Sequence, residues 1–369
     1  MKISCEKQDL LEAINAASKA VSAKSSLPAL EGLLITAGDE IKISGYDLEL
    51  GIEVIAAGEI AERGEIVLSA RTFGEIVRKL PDDVVTVSAD DTFKTEIKCG
   101  MAEFSIIGTD PAEFAEIPKI MGDRRLTLPQ NRLKSMIRQT VFAVSQNENK
   151  PVITGCLFDV MGDELRVVAV DGFRLALRRE TLDPPAPERY SFVVPGKTLL
   201  EVSRLLSDTD LPVTLSVSKK QIIFELENVV LVSRLLEGEF MNYEGAIPKE
   251  TKLHIKTDVR AFASAVERAS LLISERLKSP VRLKFDMDHI RISCSTPLGR
   301  AQDEVAVACE GDPLEMGFNS RFLLDALKNC ECDRVRIDIN TALLPMVIRP
   351  EEGEDFLFLV LPVRLRSGE

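Results

Sequence analysis

Short apolar runs broken by turn residues fill this chain, and three of the runs are related. Val168-Ala169-Val170 ends in Asp171-Gly172, and a second apolar run, Phe173-Arg174-Leu175-Ala176-Leu177, follows at once. Asp-Gly between apolar runs signals a tight turn, because Gly accepts positive φ and Asp can bond the backbone that follows. The run over residues 41–46 ends in Asp47, 124 residues earlier, and the run over 290–295 ends in Thr296, 125 residues later. That near-equal spacing predicts one structural unit written three times.

The elements around the runs repeat as well. Each unit opens with a short strand (Met1 to Cys5, Leu126 to Pro129, Leu253 to Ile255) and then a helix. Helical spacing joins Leu10, Leu11, Ile14, Ala17 and Val21 in the first, Leu133, Met136, Ile137, Val141 and Val144 in the second, and Phe262, Ala265, Val266, Ala269 and Leu272 in the third. These helices are expected over 7–24, 130–150 and 257–278, the last with an N-cap at Thr257-Asp258. A second helix in each unit, over 71–80, 197–207 and 320–331, lies between strands. The class is therefore α+β: three similar domains, each of two strand-helix-strands half-repeats. Boundaries fall in polar stretches with Pro and Lys, Pro118-Lys119 and Pro248-Lys249, giving domains 1–124, 125–250 and 251–369. A repeat this long is a domain rather than a solenoid turn.

The chain of 369 residues carries 46 basic and 59 acidic side chains, net −13. By total charge it is a poor nucleic-acid binder. The distribution argues otherwise: the six expected helices hold 18 basic and 10 acidic residues, which leaves −21 on the remainder. The cations are Lys19 and Lys24; Arg71, Arg78 and Lys79; Arg132, Lys134 and Arg138; Lys197 and Arg204; Arg260 and Arg268; Arg321 and Lys328. A shared positive surface made from them would meet phosphates without reading bases. The seven Cys are scattered and lack metal-ligand spacing, which predicts reduced thiols. Without an apolar signal core or a run of about 20 apolar residues, the expected location is the cytoplasm, with no membrane contact.

Five strings stand out: Leu27-Pro28-Ala29-Leu30, Tyr46-Asp47-Leu48-Glu49, Val170-Asp171-Gly172-Phe173-Arg174-Leu175-Ala176, Phe240-Met241-Asn242-Tyr243 and Leu361-Pro362-Val363-Arg364-Leu365. Together they resemble the bacterial DNA polymerase III β subunit family, the sliding clamps. The resemblance covers essentially the whole chain. It implies a DNA-clamp fold whose homodimer closes into a ring of six domains around duplex DNA, lined by twelve helices. Helices of about 10 Å diameter, twelve abreast, give a circumference near ~120 Å and an opening of roughly 28 Å, wide enough for a duplex.

The same resemblance implies partners: the polymerase III core, the clamp loader, and other polymerases and repair proteins. Each would dock a short motif, a Gln followed by apolar residues, between domains two and three. Carried over by position, that pocket uses Ile153, Val170, Gly172, Phe173, Arg174, Leu175, Met241, Ala246 and Ile247, with Val360, Leu361, Pro362, Val363 and Arg364 from the last strand. Phe173, Met241 and Gly245 stand where enterobacterial members have His, Pro and Arg, and Arg366 to Glu369 follow the Leu that usually closes the chain. Lys24 and the stretch from Gln146 through Lys150 to Pro151 fall at DNA-contacting positions. Phe104 and Ile106 match a dimer-interface strand, and Leu271 and Leu272 the helix that faces it. No cofactor or metal is implied.

Two other readings compete. One is an acidic multi-domain scaffold that binds protein motifs and does not encircle DNA. The other is an enzyme using Asp47 and Asp171 as a carboxylate pair. Both aspartates, however, sit at repeat-equivalent turns, where Asp has a structural job. His254 and His289 lie in expected strands without metal-ligand partners.

Overall fold

A computed structural model describes residues 1–22, 24–118, 122–274 and 279–365. The chain forms two compact units, Met1–Asn131 with Arg204–Leu235, and Arg132–Ser203 with Leu236–Glu369. Its helices are α1 (Lys7–Ala17), α2 (Ala70–Lys79), α3 (Gln130–Val141), α4 (Gly196–Leu205), α5 (Val259–Ala269) and α6 (Ser320–Lys328).

The first unit holds two sheets. A five-stranded sheet runs Glu59–Glu62, Lys2–Glu6, Val84–Ala89, Lys94–Cys99, Ala102–Ile107. An eight-stranded sheet runs Arg124–Pro129, Pro212–Val217, Gln221–Glu225, Val229–Arg234, Leu50–Ala56, Ile41–Tyr46, Gly32–Ala37, Gly64–Ser69. The second unit is built alike. Nine strands run Tyr190–Pro195, Gly155–Met161, Glu164–Val170, Arg174–Thr181, Phe356–Val360, Met346–Pro350, Arg334–Ile339, Leu253–Asp258, Ala308–Glu310. Four more run Gly299–Ala306, His289–Thr296, Val281–Phe285, Leu314–Phe318.

The three-fold repeat is visible in this order, and so is a feature that periodicity does not reveal. The last strand of the second repeat, Val229–Arg234, pairs with Leu50–Ala56 of the first. The last strand of the third, Phe356–Val360, pairs with Arg174–Thr181 of the second. Each seam uses the strand that follows a repeat-equivalent turn, after Asp47 and after Asp171. Repeat junctions are thus continuous sheet, with the ladder hydrogen bonds satisfied across them.

The first helix of each repeat is shorter than its apolar spacing suggests. After Ala17 the chain tightens into a single 3-10 turn, Ser18–Ala20, and after Ala269 into another, Ser270–Leu272. In both, a serine hydroxyl donates to a helix carbonyl four residues back, Ser18 Oγ to Ile14 O and Ser270 Oγ to Val266 O, each at 2.6 Å. Such back-bonding competes with helix continuation. Thr140 Oγ1 does the same to Met136 O at 2.7 Å just before α3 ends. Residues 275–278 of the expected third-repeat helix, Lys119 at the expected first boundary and Arg366 to Glu369 lie outside the described residues. The N-cap of α5 is Asp258, whose carboxylate accepts from Ala261 N at 2.7 Å.

Packing follows the repeat. Leu10, Ala13, Ile14 and Ala17 of α1 are buried, as are Phe262, Ala265, Val266 and Ala269 of α5. Gly45 sits where strand Ile41–Tyr46 passes under the end of α1; a Cβ there would stand 2.1 Å from Ala17 O. The third repeat accommodates Cys294 at the matching place, its thiol donating to Ala269 O at 2.9 Å.

Candidate functional site: a cleft beside the Asp171 turn

Asp171 builds the site by folding its own turn. Its Oδ1 accepts from Phe173 N at 2.9 Å and Arg174 N at 3.1 Å, and Gly172 takes φ +91°. Only residues without a Cβ adopt that φ at little cost. The turn pushes Phe173 outward, 60% exposed. The Asp47 turn is made the same way, its Oδ1 accepting from Glu49 N and Leu50 N at 2.9 and 2.7 Å. At the third turn the acceptor is Thr296 Oγ1, receiving Leu298 N at 3.2 Å. These contacts give Asp47 and Asp171 a structural role, each within its own turn.

The chain beyond strand Phe356–Val360 is tied down on both sides. Leu361 N donates to Phe173 O at 2.9 Å, and Val363 N donates to Gly317 O at 2.8 Å. Gly317 lies in strand Leu314–Phe318, which leads through the N-cap Asn319 into α6. Together these segments enclose a cleft of about 940 Å³, lined by Gly172, Phe173, Leu361, Pro362 and Val363, by Asn319 to Phe322 at the start of α6, and by Ile273, Ser274, Ser279 and Pro280. Phe173 stacks on Phe322 with ring centres 5.9 Å apart and planes 22° apart.

Beneath that pair lies Arg174. Its Nε meets Asp171 Oδ2 at 2.9 Å and its Nη1 meets Asp325 Oδ2 of α6 at 2.5 Å. The guanidinium carbon stands 4.6 Å from the Phe322 ring centre and 5.6 Å from that of Phe142. Sequence placed Arg174 at the rim. The structure makes it a nearly buried tie between the turn and α6, since guanidinium groups both fork to carboxylates and stack on rings.

Not every expected pocket residue faces the cleft. Val170, Leu175 and Val360 are almost wholly buried; the first two belong to a core cluster with Leu157, Leu177, Val193, Tyr243, Val347, Leu357 and Leu359. They support the cleft from below, because their strand positions point inward. Ile153, Ile247 and Leu361 are half-buried against the same cluster. Met241 is 45% exposed, Ala246 half-buried, and Arg364 exposed beside Val363. Ile273, Pro280, Asn319 and Phe322 were missed. The stretch Asn319-Ser320-Arg321-Phe322 reads as an ordinary helix start, and only the partnership of α6 with the Asp171 turn reveals it.

Of the helix cations, Lys19, Lys24, Arg71, Arg78, Lys79, Arg132, Arg138, Lys197, Arg204, Arg260, Arg268, Arg321 and Lys328 are exposed and Lys134 is half-buried; Gln146 and Lys150 are exposed beyond α3. Several are already ion-paired: Arg71 with Glu75 at 3.2 Å, Arg132 with Glu180 at 3.8 Å, Arg138 with Glu331 at 2.7 Å, Arg268 with Asp303 at 2.6 Å and Lys328 with Glu267 at 2.8 Å. Within the first unit, α1 and α2 flank a cleft of about 750 Å³ that includes Lys19, Arg71 and Arg78.

Two open strand edges carry exposed apolar residues. Ala102–Ile107 ends the five-stranded sheet, with Phe104 39% and Ile107 74% exposed and Ile106 half-buried. Gly299–Ala306 ends the four-stranded sheet, and nearby Leu271 is 78% exposed, with Leu272 half-buried. Among the described residues no group of His, Cys, Asp and Glu could hold a metal, and no helix is long and apolar enough to cross a membrane.

A thrice-repeated α+β chain whose repeats share sheets across their seams defines a class of tandem-domain proteins. Its domains match, in order, the family models described as DNA polymerase III beta subunit N-terminal domain over 1–118, central domain over 127–242 and C-terminal domain over 244–364. The chain belongs to the DNA polymerase III beta subunit family. It is 36% identical to the beta sliding clamp of Bacillus subtilis strain 168, covering 99% of this chain and all of that one, and 32% identical to that of Staphylococcus aureus, covering 99% of each. The solved sliding clamp of Bacillus subtilis superposes with a TM-score of 0.95 at 35% identity, over 99% of this chain and 100% of that one. A DNA polymerase III beta subunit from Thermotoga maritima gives 0.91 at 27%, with the same coverage.

Proposed function

We propose that the protein is a DNA sliding clamp: a non-catalytic ring of two copies that encircles duplex DNA and tethers a polymerase to it. The domains are 1–124, 125–250 and 251–369. The clamp loader, the polymerase III core and other polymerases and repair proteins dock short motifs in the cleft beside Phe173, in the cytoplasm. The helix cations, with Lys24, Gln146 and Lys150, face the phosphates. Contacts of that kind fix no register, so the ring is free to slide.

The seam pattern carries this reading. In two junctions the last strand of one repeat joins the strand after the turn of the preceding repeat. The last strand of the first repeat, Ala102–Ile107, and the strand after the third turn, Gly299–Ala306, are the members left over. A second copy supplies each with its partner, and two such seams close six domains. The seam registers Leu231 with Ile52 and Phe358 with Ala176 transfer to Phe104 opposite Ala301 of the partner subunit. That pairing would cover the exposed Phe104, Ile107 and Leu271, which an unpaired edge would leave open to aggregation.

Two experiments test it. A chain carrying Phe104→Cys and Ala301→Cys is expected to form an intersubunit disulfide dimer with both seams locked; failure to crosslink in a protein that weighs as a dimer would sink the register. Protein loaded on a nicked circular plasmid by a loader ATPase is expected to slide off once the plasmid is linearised. Retention on the linear DNA would instead favour a surface binder.

A further inference from the structure

The cleft between α1 and α2 is built to the same plan as the cleft beside Phe173. Each lies just past a 3-10 turn whose first serine, Ser18 or Ser270, bonds back to its helix. At the same offsets from those serines, Val21, Ser22 and Pro28 stand where Ile273, Ser274 and Pro280 stand. Ser69 caps α2 as Asn319 caps α6, which matches Arg71 to Arg321. Thr109 N donates to Val67 O at 2.9 Å, the counterpart of Val363 N to Gly317 O at 2.8 Å, and so Ile107 matches Leu361. The cavities are about 750 and 940 Å³.

One wall is missing from the first cleft. Beside Phe173 the turn of the preceding repeat supplies it, and Leu361 N donates to Phe173 O. The first repeat has no predecessor in its own chain. The turn left over is Thr296 to Gly299, whose Leu298 is 72% exposed. The seam register that sets Phe104 opposite Ala301 of the partner subunit sets Ile107 opposite Leu298 of the partner subunit. Leu361 and Phe173 face each other in the same way. Such a turn does not fill its cleft, because about 940 Å³ stay open with Phe173 in place.

The two clefts differ in chemistry. Thr72 stands in the place of Phe322, so no ring there meets the incoming turn. The charged residues among the described lining are Lys19, Arg71 and Arg78 against Glu31 and Glu75. Arg71 and Glu75 pair with each other at 3.2 Å, and Glu31 accepts from Ser25 N at 3.2 Å. Arg78 donates to the neutral Asn15 side chain at 3.3 Å, and Lys19 is exposed on the same wall. On a chain of net charge −13, a positive wall favours an acidic occupant.

We infer that each intersubunit seam holds a second docking cleft, completed by Leu298 of the partner subunit, for an extended peptide that alternates aliphatic and acidic side chains. An aliphatic side chain packs on Val21 and Pro28 beside the contact of Ile107 with Leu298 of the partner subunit. A carboxylate meets Lys19 and Arg78, since charge-assisted contacts are the strong ones at such a rim. The inference rests on the reading of the chain as a closed ring of two copies, and it assigns Lys19 and Arg78 to peptide rather than to phosphate.

The test uses the full-length protein and a labelled Gly-Val-Asp-Ile-Asp-Gly peptide, acetylated and amidated, read by fluorescence anisotropy beside a light-scattering mass. The peptide is expected to bind two sites per dimer, and a saturating Gln-Leu-Leu-Asp-Phe peptide is expected not to displace it. Replacing both peptide Asp residues with Asn is expected to weaken binding about three- to tenfold, the range for partly exposed charge-assisted contacts. Lys19→Glu with Arg78→Glu is expected to abolish that preference for Asp. The Leu271→Asp monomer is expected to lose at least tenfold in affinity for this peptide, because half of the cleft has left. Equal binding to monomer and dimer overturns the inference, as does displacement by the Gln-Leu-Leu-Asp-Phe peptide. It also falls if Lys19→Glu with Arg78→Glu weakens retention on circular DNA and leaves peptide binding unchanged. A parent that weighs as a dimer and binds no Gly-Val-Asp-Ile-Asp-Gly peptide ends this inference and leaves the ring standing. A parent that weighs as a monomer ends both.

Discussion

Replacing Arg174 with Ala removes the tie between the Asp171 turn and α6. The side chain is 9% exposed, against 12% for Asp171 and 33% for Asp325, so the loss strands two carboxylates in a poorly hydrated place. Breaking a buried ion pair costs about 3–5 kcal/mol, and the partial exposure of Asp325 moves this case to the lower end. The lost contacts with Phe142 and Phe322 add about 0.5–1 kcal/mol each. The sum is about 4–5 kcal/mol. At about 2–4 °C per kcal/mol for a unit of roughly 200 residues, the melting point falls by about 8–20 °C. Differential scanning calorimetry measures this, and a peptide titration beside it is expected to show weaker binding, because Phe322 loses the layer that holds it under Phe173. Arg174→Lys keeps the charge without the fork and is expected to recover only part of either. Dimer mass is expected to stay the same in both variants. A melting point within 2 °C of the parent with unchanged peptide affinity would refute the role assigned to this residue.

Three further outcomes follow from single contacts. Leu271→Asp is expected to give monomers by light scattering, with stability within about 0.5 kcal/mol of the parent, since this side chain touches little within its own chain. The Arg268 guanidinium holds the Asp303 carboxyl below the usual carboxylate value of 3.8, so the pair adds stability above that pH and loses it as pH falls through the depressed value. In Arg268→Ala the Asp303 titration followed by NMR is expected to move up toward 3.8; an unmoved titration rejects the pairing. Burial pushes the Cys156 thiol up to about 12 and Cys5 up to about 11. Mass spectrometry after alkylation at pH 8 is expected to find both unmodified in the folded protein, with Cys332 labelled first; rapid labelling of Cys156 would contradict its burial.

The repeat was legible in the sequence because each copy needs the same turn at the same place, and Asp47, Asp171 and Thr296 mark it. Apolar spacing also located the six helices among the described residues, since buried faces such as Leu10, Ile14 and Ala17 leave a periodic trace. Their ends were less legible: α1 and α5 end at Ser18 and Ser270, whose hydroxyls bond back into the helix, and no hydrophobic pattern records that contact. The cleft was half legible. Phe173 and Pro362 stand beside a turn that the sequence advertises, whereas Phe322 and Pro280 arrive from segments more than a hundred residues away. Arg174 showed its position but not its task, because the two rings and the second carboxylate that hold it come from the turn after α3 and from α6.

The shared seams mean that these repeats are not beads on a string. Severing the chain near residue 124 would strip Leu50–Ala56 of its neighbour Val229–Arg234 and bare a raw flank on each fragment. Excised single repeats should therefore clump or swap strands rather than persist as tidy miniature proteins, and melting should propagate through a seam instead of halting at a linker.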